Sequence, residues 1–317
     1  MALMSEVLLA RARAQGGVFA SCDATEQGVT RNVVRAMVRD GTVTRVAARA
    51  YVLSDILEAA RTPEAVHRLH ALAILRSFDG RVAASHHSAL ALHGLPFWRV
   101  AEDTFHVCRV AGSSSRVRGS LHIHESTTAD PLVSLRLTRA LTVTPGLAAV
   151  GTAMVDGLEA GVVAMDAALH AELVTRVDLQ RLVDAHALTP GVSRARDAIA
   201  LADGSAESPG ESRTRMVLRH LPAGINVEPQ AVIRDRDHGF VGRCDFLVDG
   251  RVVVEFDGRA KYGLGGSPTQ DLWAEKRRED RLRALGYAVV RLTWTDLANP
   301  DAVLQRVLEA LRITRVA

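Results

Sequence analysis

Residues 241–262, VGRCDFLVDGRVVVEFDGRAKY, bring Asp245, Glu255, Asp257 and Lys261 into one short stretch. Carboxylates set among Val253, Val254 and Phe256 need something to offset the loss of water around their charge. A divalent cation with an amine nearby meets that need. The same combination cuts phosphodiesters, because the cation polarises the phosphate and activates a water. The stretch reads as a strand, a turn at Asp249-Gly250 and a second strand. Register decides whether the acids can cooperate. A strict two-residue turn would set Asp245 opposite Val254, pointing away from Glu255. A three-residue loop, Asp249-Gly250-Arg251, or a bulge puts both acids on one face, and a shared metal requires one of these breaks.

The surrounding elements position this hairpin. A linker, DGSAESPG at 203–210, marks a boundary by its Gly, Ser and Pro content. A helix over 211–221, carrying Glu211 in its first turn, and a strand over 226–234 precede the hairpin. A helix over 270–285, a strand over 287–294 and a helix over 301–312 follow it. The order is α-β-β-β-α-β-α, with three acids converging from a helix and two strands.

That order, with ESRTR at 211–215, CDF at 244–246, VVEFDG at 253–258, Lys261-Tyr262 and KRREDRLRALGYAVVRLTW at 276–294, resembles the PD-(D/E)xK nuclease superfamily. The branch it is most similar to is that of the very-short-patch-repair (Vsr-like) endonucleases, over about residues 205–300. The resemblance implies a restriction-endonuclease-like α-β-β-β-α-β core with Glu211, Asp245, Glu255 and Lys261 as catalytic residues. Asp245, Glu255 and Asp257 would hold Mg²⁺ or Mn²⁺ through hard oxygen ligands, and Lys261 would orient the nucleophile or neutralise transition-state charge. The chain departs from the superfamily pattern at Asp257, which stands two residues after the Glu where a lysine is expected. In the Vsr-like branch a basic histidine falls where Lys261 stands here. Either Lys261 substitutes for the missing lysine or the site binds metal without cutting. Lys276 and Arg277 are accessory cation candidates.

Residues 1–56 read as a winged helix-turn-helix. A helix over 5–14 and a short helix near 24–28 lead to Thr30 as N-cap. The helix 31–39 then carries Val33, Val34, Met37 and Val38 toward the core and Arg31, Asn32, Arg35 and Arg39 toward solvent. Two β-rich runs, 42–46 and 50–53, form the wing. In that arrangement the basic helix enters a major groove, and Arg45 or Arg49 touches the backbone. The expected DNA-binding set is Thr30, Arg31, Asn32, Arg35, Arg39, Arg45 and Arg49.

Residues 57–204 read as a mixed α/β middle domain of unassigned role. Helices are expected over 61–78, 82–93, 147–156, 162–171 and 179–187, and strands over 104–110 and 120–124. SHHSALALHGLP at 85–96 makes the N-terminal part resemble regulators related to abortive-infection (AbiEi-type) antitoxins. His86-His87 and His122-x-His124 invite a metal reading, and alternation places His122 and His124 on one strand face, which a metal could use. Glu125 aside, no acid or Cys set stands at ligand spacing, so these histidines read as hydrogen-bonded or exposed.

Composition bounds the rest. At 317 residues the chain suits two or three domains, read as 1–56, 57–204 and 205–317 of an α+β protein. Lys and Arg total 39, yet the only lysines are Lys261 and Lys276. A net charge of +3 and a pI near 9.0 suit a polyanionic partner, with an Arg-favouring genome as the plain alternative. Cys22, Cys108 and Cys244 exclude a Cys-based zinc site and a disulfide framework, and fit a reducing cytosol. No stretch of about 18 apolar residues occurs, and the N-terminus lacks a signal-peptide pattern. The reading is a cytoplasmic DNA-binding endonuclease, possible as a homodimer, using no small-molecule cofactor or membrane. Its rivals are a non-cutting transcriptional regulator or antitoxin-like protein and an RNA-processing enzyme.

Overall fold

The computed structural model describes residues 2–125, 132–136, 138–235, 237–258 and 270–314. Their architecture is mixed α+β, with three sheets and thirteen helices among the described residues. The chain forms two compact units, Met1–Ala200 and Leu201–Ala317.

The N-terminal unit begins α1 (Ala2–Ala14), β1 (Val18–Ala20), α2 (Ser21–Glu26), α3 (Arg31–Arg39), β2 (Val43–Ala47) and β3 (Ala50–Leu53). The strands form a sheet ordered β1-β3-β2. α3 is amphipathic: Val34 and Met37 are buried with Leu8, Phe19 and Leu53, whereas Val38, expected inside, is exposed. Thr30 occupies the N-cap with extended backbone, but its hydroxyl makes no capping hydrogen bond.

Next come α4 (Ser54–Ala59), α5 (Pro63–Ser77), β4 (Val82–Ala84), α6 (His86–His93), β5 (Phe105–Arg109), β6 (Arg116–Arg118), β7 (Leu121–His124), β8 (Leu132–Ser134) and β9 (Leu141–Val143). The helix expected over 82–93 is thus a strand followed by a helix. The second sheet is ordered β6-β7-β5-β4-β9-β8. Helices α7 (Pro145–Asp156), α8 (Leu158–His170), α9 (Arg176–Ala185) and α10 (Val192–Leu201) complete this part.

Residues 1–56 fall within the first compact unit. Asp23, 2% exposed, accepts two hydrogen bonds of 2.7 Å from the Arg76 guanidinium, which ties α2 to α5. A carboxylate so deeply buried holds its charge only with such a partner.

The C-terminal unit runs α11 (Pro209–Leu218), β10 (Val227–Arg234), β11 (Phe240–Val248), β12 (Val252–Phe256), α12 (Gln270–Ala284), β13 (Ala288–Leu292) and α13 (Pro300–Ile313), the expected order. Its sheet is β10-β11-β12-β13, antiparallel except for the parallel β12–β13 pair. Both faces are covered, which is why β12 opens with the unbroken run Val252-Val253-Val254. Val252 and Val254 join the core with Val217 of α11 and Val303 and Val307 of α13, and Val253 joins another with Leu282 of α12. Among the described residues, no helix is long and apolar enough to cross a membrane.

Candidate functional site

The β11–β12 hairpin has the three-residue loop that a shared face requires. Phe246 pairs with Val254, Leu247 with Val253 and Val248 with Val252, leaving Asp249, Gly250 and Arg251 in the loop. Asp249 and Gly250 both adopt left-handed backbone, φ 52° and 67°, which glycine takes without steric cost. Continued one step, this register sets Asp245 opposite Glu255.

Asp245, Glu255 and Asp257 line one cleft of about 180 Å³ with Arg243, Glu275, Arg278 and Arg291. Asp245 Oδ2 accepts a 2.7 Å hydrogen bond from the Phe256 N–H. Burial, with the Glu211 and Glu207 charges, pushes the Asp245 carboxyl up to about 6, against the pull of that N–H and of Arg278. Burial also raises Glu255, although Arg278 and Arg291 hold it back. The Cys244 thiol, pushed up to about 12 by burial and by these acids, stays neutral.

Cations reach the cleft from positions that the sequence reading passed over. The Arg278 guanidinium of α12 pairs with Glu255 Oε1. Arg291 of β13 lies 4.0 Å from Glu255 and bridges Glu275 at 2.7 Å and Glu279 at 3.0 Å. Lys276 and Arg277 are exposed and do not line the cleft. Arg278 was identifiable by face, because Leu282 lies four residues on and packs against the sheet. Arg291 was identifiable by alternation between the buried Val290 and Leu292. Lys261 lies outside the described residues.

Glu211 is 8% exposed and committed to the start of α11. It accepts from Ser208 Oγ at 2.7 Å, the Glu207 N–H at 3.0 Å and the Gln230 side-chain amide at 2.8 Å. Ser208 in turn accepts from the Glu211 N–H, so the two close a reciprocal cap. Gln230, with φ 53° inside β10, went unremarked in the sequence; it ties Glu211 to the sheet beside Asp245. Glu211 therefore acts on Asp245 through its field and does not line the cleft.

As a metal site, the cleft offers carboxylate oxygens and no thiolate, a donor set suited to Mg²⁺ or Mn²⁺. Asp245 and Glu255 fit such an ion by type and by register, with Asp257 on the same wall. Arg278 competes for Glu255, so an ion there must displace that guanidinium.

The basic residues of the N-terminal unit also converge. Arg31, Asn32, Arg35, Arg39, Arg45 and Arg49 line one open concavity of about 1110 Å³ with Arg81 and Asp79. Thr30 stays outside it. Arg35 donates to Asn32 at 3.2 Å and Arg45 to the Ala47 carbonyl at 3.3 Å, which orders two of the long side chains.

No family model matches the chain. Two proteins of Mycobacterium tuberculosis are similar to it: uncharacterized protein MT2308 of strain CDC 1551 / Oshkosh and uncharacterized protein Rv2248 of strain ATCC 25618 / H37Rv. Each is 26% identical over 298 residues, which cover 91% of this chain and 100% of the relative. A match of that span takes in residues of both compact units.

Proposed function

We propose that the protein is a DNA-binding, metal-dependent phosphodiester hydrolase of the PD-(D/E)xK type in its C-terminal unit, delivered to DNA by an N-terminal winged helix-turn-helix. The observation that carries this reading is the three-residue loop, which sets Asp245 opposite Glu255 in a cleft lined by arginines. The α-β-β-β-α-β order around the cleft supports it. The α-β-α-α-β-β order of residues 2–53, with a basic concavity on α3 and the β2–β3 hairpin, supports the DNA-binding part.

Bound Mg²⁺ would polarise the phosphate and activate a water. Asp245 and Glu255 would hold that ion. Arg278, once off Glu255, and Arg291 present fixed positive charge to the phosphoryl oxygens, where charge grows in the transition state. Glu211, held by Ser208, Glu207 and Gln230, fixes the start of α11 and keeps a negative field on Asp245.

A second reading has its own support. The Arg278–Glu255 pair and the acid at Asp257 both suit a nuclease-like domain that holds nucleic acid without cutting, as in a regulator or antitoxin-like protein. One assay separates the two. The full chain is incubated with single- and double-stranded DNA and RNA, with Mg²⁺ or EDTA, beside Asp245→Ala and Glu255→Ala. The hydrolase reading expects Mg²⁺-dependent cleavage that both substitutions abolish. Binding without cleavage on every substrate establishes the regulator, and cleavage of RNA alone moves the substrate to RNA.

A further inference from the structure

A second cluster of chemistry-bearing side chains lies in the N-terminal unit. His86 opens α6, His106 is the second residue of β5, and His124 ends β7. The parallel β5–β7 register pairs His106 with His122 and Cys108 with His124, so His106 and His124 are diagonal neighbours on one face. Each of the three rings offers one ligand nitrogen, and these nitrogens lie within 4.8 Å of one another. Among the described residues, this is the group of three or more such donors close enough to hold an ion.

The rings are closely seated. His106 Nδ1 and His124 Nε2 are 2.8 Å apart, sharing one proton. The His86 ring stacks on His124 at 4.2 Å and lies 4.8 Å from His106. On its other side it packs on Gly151 of α7, where an added Cβ would fall 3.1 Å from the ring. His86 also holds a left-handed backbone, φ 51°, which is strained for a residue with a Cβ. Behind the trio, His87 packs edge-on against His106, bonding to Asp156 Oδ2 at 3.0 Å and to the Thr104 carbonyl at 2.8 Å. His87 is thereby fully engaged and leaves the other three as the donor set.

Burial holds all three imidazoles neutral: His86 falls well below the ordinary value, His106 to about 2 and His124 to about 4, and the neighbouring histidines add to the effect. Neutral imidazole is the form that ligates a metal, and nitrogen-only sets suit zinc over magnesium or calcium. Nitrogens at Zn–N distances of about 2.0–2.1 Å lie about 3.3 Å apart in a tetrahedral site, so the His106–His124 pair opens slightly as His86 closes in.

We infer that His86, His106 and His124 form a three-histidine site for Zn²⁺, separate from the carboxylate cleft of the C-terminal unit. Three protein ligands leave a fourth position for water or a small anion. The sequence concealed the set because one ligand comes from each of three elements. The two apparent pairs, His86-His87 and His122-x-His124, each supply one member, while His87 and His122 stand outside the trio.

The test uses the full chain, stripped with chelator, dialysed and titrated with CoCl₂ and then ZnCl₂. The expected result is one Co²⁺ per chain with the visible absorption of a low-symmetry site, displaced stoichiometrically by Zn²⁺. His86→Gln and His124→Gln weaken binding at least tenfold, while His122→Gln and Asp245→Asn retain it. His124 is only partly buried, so its variant is expected to fold, with circular dichroism as the check. Absence of the cobalt band in the native chain overturns the site without recourse to any variant. So does a band that survives both ligand substitutions or disappears in Asp245→Asn.

Discussion

Asp245 is held in an environment that resists its charge, and the sign of that effect is measurable. Its folded carboxyl titrates near 6, against an ordinary value of 3.8. Between about pH 4 and pH 6, the folded C-terminal unit keeps a proton that the unfolded chain has released. In metal-free buffer its stability therefore falls as pH rises through that window and levels off above it. Hydrogen exchange of peptides from β11 and β12 should show this slope, and Asp245→Asn should remove it. Mg²⁺ should flatten it too, because a bound ion favours the ionised carboxylate. A slope unchanged in Asp245→Asn would assign the effect to another group. Glu211 behaves differently, since its hydrogen bonds serve the start of α11. Glu211→Ala removes half of a reciprocal cap and should cost about 1 kcal/mol, read by urea denaturation of the C-terminal unit.

At the scale of elements, the Asp23–Arg76 pair joins α2 to α5. Removing one partner strands a buried charge, so Arg76→Ala should destabilise the N-terminal unit by about 3 kcal/mol in denaturant titrations. A loss below about 1 kcal/mol would mean that Arg11, 3.8 Å from Asp23, takes over. These elements were unequally legible in the sequence. α3 and β3 stand at the limits that their patterns predict, because their buried positions recur at helical and strand spacing. The acids of the cleft were legible from their setting among valines. Asp249-Gly250 left the loop length open, and only the demand that the acids share a face pointed to the longer loop that forms. β4 and β9 were missed: three residues carry no period, and Val82-Ala83-Ala84 suits the helix expected there as well as the strand that forms. Arg278 and Arg291 were missed because Lys261, Lys276 and Arg277 were favoured by motif position and by the rarity of lysine, not by the face they occupy. Helix and strand faces, which bring distant residues to the cleft, were the better guide.

Across the whole molecule, the two units should respond to acid with opposite signs. His67, lowered to about 3, and His106 and His124 are held neutral inside the N-terminal unit. Below their ordinary value of 6.5, the unfolded chain takes protons that the folded unit refuses until about pH 4 or lower, so this unit loses stability as pH falls from 6.5. The Asp245 contribution runs the other way. Peptide-resolved hydrogen exchange at pH 5 and pH 7, without metal, should show protection falling in β5 and β7 while it rises in β11 and β12. Nucleic-acid binding belongs to this scale as well. Arg45→Ala and Arg49→Ala should each weaken DNA binding about equally across sequences and lower the salt slope by about 1. A sequence-selective loss would instead place these arginines on base edges.

The loop at Asp249-Gly250-Arg251 also makes the hairpin unusually sensitive to length. Surface turns as a rule accept insertions and deletions, since little of the fold depends on their count. Here parity matters: removing one residue leaves every acid in the chain but turns Glu255 to the opposite face. Two of the three β12 valine places are then refilled by valines, but Glu255 takes the buried place of Val254 in the core with Val217 and Val303, where an unpaired carboxylate is costly. A one-codon deletion thus parts the carboxylates and weakens the fold at once, a form of inactivation invisible to any inventory of the acids.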